Sequence, residues 1–182
     1  ILFPIIIGFF SCSPFSNKND ESIYDCALHL NSEVCEVYTS LYDYCLNDIN
    51  STSCTFGINV GPNYFNDQVT VHYFGHQYWG TCTARVGNLD ALYQDFINEG
   101  IHNVRIIAIG KGQYSGHNSN WTEGSLIPIV ADPSPNTLWT SWGASQWDVF
   151  FLDSSGEYVT DFNIKDWDYN KVYDKIKEIL PE

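Results

Sequence analysis

The stretch VTVHYFGHQYWGTCTARVGNLDALYQDFIN, residues 69–98, decides how the chain is read. Val69, Val71 and Tyr73 alternate with Thr70 and His72, and Phe74 extends the apolar edge; this predicts a strand over 69–74, buried on at least one face. Val86, Leu89, Leu92, Tyr93 and Phe96 recur at helical spacing and Gly100 supplies a stop, so a helix is expected from about Thr83 to Asn98. A short loop with one cysteine, Cys82, joins the two. The free N–H groups and dipole of a helix N-terminus favour negative charge, so a sulfur in the first turn lies where a thiolate is stabilised.

The chain downstream extends this unit. VRIIAIG, from Val104, is a nearly continuous apolar run, as in an internal parallel strand, and completes a strand–helix–strand crossover. Residues 110–125 are rich in Gly, Ser and Asn and read as a surface loop; Gly110-Lys111-Gly112 lacks the spacing of a phosphate loop. Ile127–Val130 is a short extended segment, and Asn136–Gly143 a helical turn with Trp139 and Trp142 on one face. Val149–Leu152 and Glu157–Phe162 form a hairpin around Gly156. Asp168 caps a terminal helix to Leu180, with Val172, Ile176 and Ile179 toward the sheet.

Three stretches carry a family resemblance: YWGTCTARVGNLDAL (78–92), LIPIVADPSPNTLWTSWGASQWDVFFLD (126–153) and the hairpin VFFLDSSGEYVTDF (149–162). Together they resemble the thioredoxin superfamily, and within it the N-terminal domain of selenoprotein P, over roughly Gly57 to Leu180. The resemblance implies an α/β, thioredoxin-like fold: a central mixed sheet flanked by helices, here behind a Cys-rich N-terminal extension. It also places a redox pair, Cys-x-x-Cys or selenocysteine-x-x-Cys, at residues 79 and 82. The chain departs from that pattern. Cys82 holds the second, resolving position, and the first is Trp79, which cannot form a mixed disulfide. The thioredoxin cis-proline is missing as well. Its place falls near Trp147 and Asp148, the implied substrate-binding pair, and the narrower family also carries an acidic residue there. UGA encodes selenocysteine in some contexts and tryptophan in one variant code, so a gene for Sec-Gly-Thr-Cys, read with UGA as Trp, gives this string. A truly degenerate site is the alternative.

Size and composition allow one packed domain plus an extension: 182 residues, 44% hydrophobic and 16% aromatic. A formal net charge of −14 argues against nucleic acid and anionic membrane surfaces as partners. Residues 1–12, ILFPIIIGFFSC, are too short for a comfortable membrane span and read as the apolar core of an export signal. Phe-Phe-Ser-Cys resembles a lipobox with Cys12 as the lipidated residue, preferred over an ordinary cleaved signal. The segments are then 1–22, signal-like and tether; 23–56, Cys-rich extension; and 57–182, thioredoxin-like domain.

Cys26, Cys35, Cys45 and Cys54 lack the close pairs of a zinc site and are expected to form two structural disulfides, with three pairings open. Val34–Leu46 has helical apolar spacing and predicts a short helix. Cys82 is left as the odd thiol. His76 reads as a polar loop residue, no metal site is expected, and no nucleotide or flavin fingerprint, hence no cofactor, is seen. Asn50-Ser-Thr and Asn120-Trp-Thr are glycosylation sequons, meaningful in a eukaryotic secretory pathway. Two functions follow. One is a secreted, periplasmic or cell-surface protein, lipid-anchored if Cys12 is modified, acting on protein or small-molecule thiols and disulfides; a selenocysteine at 79 makes it a thiol–disulfide oxidoreductase or peroxide reductase. The other is a non-catalytic binding or scaffold module, with Trp79 blocking the old site and Trp139, Trp142 and Trp147 offering an aromatic surface. A Trp79 ring over a buried Cys82 favours the second.

Overall fold

A computed structural model describes Cys26, residues 35–37 and residues 40–181. Cys12 and the tether lie outside the described residues. In chain order the elements are β1 (Leu46–Asn47), β2 (Asn59–Val60), β3 (Val69–Phe74), α1 (Gly80–Asn98), β4 (Val104–Lys111), α2 (Ser119–Thr122), β5 (Ile129–Asp132), α3 (Thr137–Ser141), β6 (Asp148–Leu152), β7 (Tyr158–Asn163) and α4 (Tyr169–Ile179).

Five strands make a mixed sheet in the order β5-β4-β3-β6-β7. β3 lies at its centre, parallel to β4 from Val69↔Val104 to Phe74↔Ile109 and antiparallel to β6 from Thr70↔Leu152 to Tyr73↔Val149. Every residue of β3 is buried, so both faces carry a core. Val69, Val71 and Tyr73 meet Val86, Leu89 and Phe96 of α1 and Val172 and Ile176 of α4 on one face. Phe74 meets Trp139, Trp142 and Phe150 on the other. The polar residues of the strand point into this second layer and satisfy each other: His72 Nε2 pairs with Thr70 Oγ1 at 2.9 Å, and Nδ1 with the Tyr44 hydroxyl at 2.9 Å. The alternation is therefore real, but its polar half faces a second core instead of water.

Two local expectations change. No helix runs over Val34–Leu46: Cys35–Val37 is irregular, Leu41–Tyr42 is a turn and Leu46 begins β1, while Val34, Tyr38 and Thr39 lie outside the described residues. The physical reason is the Cys35–Cys45 bond, whose Cα atoms are 5.9 Å apart. Ten helical residues would hold those atoms about 15 Å apart. Of the apolar residues whose spacing suggested the helix, Val37 and Leu41 are exposed and Tyr44 is buried. Residues 110–125 hold a 3-10 turn and α2, and Trp121 from α2 plugs the core at 1% exposure.

The extension is stitched to the sheet. Cys26 pairs with Cys54 and Cys35 with Cys45. Asp48 is fully buried; its carboxylate accepts from the amides of Asn50 (2.9 Å) and Ile129 (3.0 Å) and the hydroxyl of Thr55 (2.7 Å). Gly61 permits a close approach: a Cβ there would lie 1.7 Å from the Tyr44 carbonyl oxygen. Asn50 is buried, and both N–H bonds of its amide are spent on the Ser125 and Ile127 carbonyls at 2.8 Å, so its sequon is closed in the folded chain. Asn120 is exposed. Closing a loop of 28 residues lowers the entropy of the unfolded chain, so Cys54→Ser is expected to destabilise by about 3 to 4 kcal/mol, read from urea midpoints.

Candidate functional site

The site lies at the C-terminal end of β3, where Gly75–Tyr78 leads into α1. The helix starts at Gly80, one turn earlier than its apolar spacing indicates, because that spacing reports only the buried face. Trp79 is the N-cap residue, without a side-chain cap, and Cys82 is the third residue of the helix. The Cys82 amide donates to the Trp79 carbonyl at 2.9 Å, closing the first turn. Residue 79 is thus outside and residue 82 beneath it: Trp79 is 40% exposed and Cys82 0%.

Two groups address the Cys82 sulfur, and neither is marked in the sequence. The Gln146 side-chain amide donates to it at 3.1 Å. The Tyr73 hydroxyl, buried under α1, makes no hydrogen bond of ordinary geometry, yet the sulfur is near enough to act on it. Burial first, and Cys82 second, hold that hydroxyl far above the usual phenol range.

Trp147 and Asp148 come to the same end of the sheet. Trp147 has a left-handed backbone (φ 72°), uncommon for a bulky residue and a mark of local strain. Its amide donates to the Phe74 carbonyl (2.8 Å) and its carbonyl accepts from Ile164 (2.9 Å), which fixes the kink between β3 and the end of β7. The indole meets Trp79 edge-on at 6.4 Å, and the Lys165 amine stands 5.5 Å from its centroid. The Asp148 carboxylate is occupied within the loop, accepting from the Ser145 amide (2.7 Å) and the Asn163 side chain (2.8 Å). It shapes the turn that carries Gln146 and Trp147.

An aromatic row continues from Trp79. Tyr78, 42% exposed, meets Trp79 at 5.7 Å and Tyr114 at 4.6 Å. His76 packs among Tyr114 (5.1 Å), Trp139 (5.4 Å) and Tyr78 (6.1 Å). Burial, and then Lys111, lower its pKa, so it is a neutral packing group. Trp139 and Trp142 are core residues, 4% and 5% exposed, so the aromatic surface consists of Tyr78, Trp79 and Trp147 instead. A cavity of about 350 Å³, lined by Lys111, Asn136, Trp139 and Thr140 among others, opens on the α3 side and includes neither residue 79 nor 82. Among the described residues, no cluster of His, Cys, Asp and Glu is arranged to hold a metal, and no helix is long and apolar enough to cross a membrane.

No protein-family model matches the chain, and no curated protein matches it by sequence. Solved structures do match by shape. A protein assigned as the thiol:disulfide interchange protein DsbE of Chlorobium tepidum superposes with a TM-score of 0.64 at 12% identity, over 82% of this chain and 100% of that one. The pneumococcal exposed lipoprotein thioredoxin Etrx1 of Streptococcus pneumoniae gives 0.59 at 16% identity, over 75% and 98%. A secreted Mycobacterium tuberculosis disulfide oxidoreductase gives 0.57 at 11%, over 78% and 99%. The chain has the thioredoxin-like fold: a central mixed sheet flanked by helices, with a disulfide-bearing N-terminal region.

Proposed function

We propose that this is an exported thiol/selenol redox domain of the selenoprotein P-like kind, with residue 79 as the nucleophile position and Cys82 as the resolving thiol. One observation carries the reading: an exposed N-cap position lies one helical turn from a fully buried sulfur in the first turn of a long helix. That is the layout of an attacking atom open to substrate and a second atom held back. Two disulfides in the extension support an oxidising compartment. The secreted mycobacterial oxidoreductase and the exposed pneumococcal lipoprotein thioredoxin that share the fold support export, and the Phe-Phe-Ser-Cys sequence supports lipidation at Cys12.

With selenocysteine at 79, its selenolate attacks one sulfur of a substrate disulfide. The S–S bond breaks, and the other sulfur leaves as a thiolate. Cys82 then attacks the selenium of the mixed bond, the second substrate thiolate departs and takes up the Cys82 proton, and a 79–82 bond remains. The substrate gains two electrons, and two external thiols later return two to the pair, leaving joined as a disulfide. Trp147 and the aromatic row form the contact surface for that substrate.

With tryptophan at 79 the same surface supports a second reading, a binding module. The observation in its favour is the run of exposed Tyr78 and Trp79 beside Trp147, over a sulfur that is wholly covered.

Intact mass of the protein made from its own gene, followed by selective alkylation after reduction, separates the two. The expected result is a selenium mass at 79 and a reducible 79–82 bond. A tryptophan mass with an unreactive Cys82 removes the enzyme reading and leaves the binding module.

A further inference from the structure

The group least explained by packing is the Tyr73 hydroxyl. Tyr73 is 0% exposed, and its oxygen lacks a hydrogen-bond partner of ordinary geometry. Leaving a buried hydroxyl unpaired is costly, and phenylalanine would fill the same space without that cost. Its surroundings are shaped to keep it: a Cβ at residue 75 would stand 2.8 Å from the Tyr73 oxygen, so glycine there lets the ring end lie against the backbone. Cys82 belongs to the same buried cluster, and its sulfur is near enough to act on the hydroxyl. The sulfur already accepts one hydrogen bond, from Gln146 at 3.1 Å. A neutral thiol is a weak acceptor, whereas a thiolate is a strong one.

We propose that Tyr73 and Gln146 form a two-donor pocket that receives the negative charge on the Cys82 sulfur as it leaves a 79–82 bond, and that they are working residues of the 79–82 site. The inference rests on the redox reading of that site. When an external thiolate attacks the residue 79 atom of a 79–82 bond, the bond breaks and its electron pair leaves on the Cys82 sulfur. The external thiol is oxidised into a mixed bond and Cys82 is reduced. The departing sulfur accepts the Tyr73 O–H and the Gln146 N–H, so both bonds are strongest at the moment charge appears. Tyr73 donates a hydrogen bond and keeps its proton, because a buried phenolate is disfavoured. The thiolate is later protonated from water.

The other charged groups nearby are already engaged. Arg85, from α1, acts on Tyr73, but its guanidinium donates to the Ile164 and Lys165 carbonyls. Asp148, the first residue of β6, is tied to Ser145 and Asn163.

The test uses the full chain with Cys12→Ser, in which Cys82 is the one cysteine outside the two disulfides. The β-carbon NMR signal of Cys82 is followed against pH in this parent, in Tyr73→Phe and in Gln146→Met. In each variant the thiol-to-thiolate change is expected about one pH unit higher than in the parent, the loss of one charge-assisted hydrogen bond. Tyr73→Phe is also expected to keep or raise the melting temperature, because it removes an unpaired hydroxyl. Packing alone gives a different pattern, a lower melting temperature with coincident titrations. Coincident titrations, or a parent sulfur that never ionises before unfolding, overturn the proposal. Failure of the redox reading shows elsewhere, in the native mass and in exchange activity.

Discussion

Trp79→Cys is expected to turn a chain with no dithiol chemistry into one that cycles. Residue 79 caps α1 and Cys82 is its third residue, with the Cys82 amide bonded to the Trp79 carbonyl. Side chains three apart on a helical turn have Cβ atoms about 5 to 6 Å apart, within small adjustment of disulfide geometry. The new sulfur would stand exposed at a helix N-terminus, where a thiolate is favoured. The parent, given an external disulfide, can at most form a mixed bond at a covered sulfur. In the variant, Cys82 resolves that bond from within the same molecule, where effective concentrations far exceed those of free thiols. Insulin reduction with dithiothreitol as donor is expected to rise on the order of 100-fold or more over the parent. The oxidised variant should also be lighter by two hydrogens and protect Cys82 from alkylation. Because Trp79 is 40% exposed, the substitution is expected to cost under about 1 kcal/mol of stability. A folded variant with free thiols at both 79 and 82 and no turnover would sink the assignment of these positions as a pair.

The strands of the central sheet and the helices α1 and α4 were legible because each follows from a period, whereas the two-residue strands β1 and β2 and the single turn of α2 are too short to show one. The strand alternation at Val69–Tyr73 and the helical spacing at Val86–Phe96 each describe a buried face, and both faces exist. The site was legible only in part. The 79–82 spacing is local, so Trp79 and Cys82 could be named from sequence. Gln146 lies 64 residues from Cys82, in a loop whose course depends on the left-handed backbone at Trp147. Tyr73 has the signature of an ordinary strand residue, and nothing in its neighbours reveals an unpaired hydroxyl. The false helix over Val34–Leu46 has the opposite cause: its spacing was helical, but a covalent bond between Cys35 and Cys45 overrides local preference. Trp139 and Trp142, three apart in a helical turn, read as packing residues, and the second face of the sheet, which needs large side chains, is where they pack.

His72 makes the fold sensitive to acid, and His72→Gln is expected to remove much of that sensitivity. The imidazole is 0% exposed, and burial pulls its pKa from 6.5 to about 3. Between those two values the unfolded chain takes a proton that the folded chain refuses. The stability that depends on this neutral ring is therefore fully present above about pH 6.5 and is lost as pH falls toward 3. The slope is about 1.4 kcal/mol for each pH unit within that window. Asp48 and Asp132 work in the other direction. Burial first raises both their pKa values, so they retain protons that the unfolded chain has released, and their contribution is lost as pH rises through the carboxylate range. The observed acid profile is the sum of these opposing slopes, and only a variant comparison isolates the histidine. A glutamine side chain cannot charge, but it can still donate or accept toward Tyr44 and Thr70, so His72→Gln is expected to cost about 1 to 2 kcal/mol at neutral pH. From pH 6 to pH 4 the parent should then lose about 2 kcal/mol more than the variant, measured by urea unfolding at each pH. Parallel acid profiles would mean that the ring is reached by water and already charged in the folded protein. The Tyr44–His72–Thr70 chain would then no longer be the neutral link that ties the disulfide-bearing extension to the central strand.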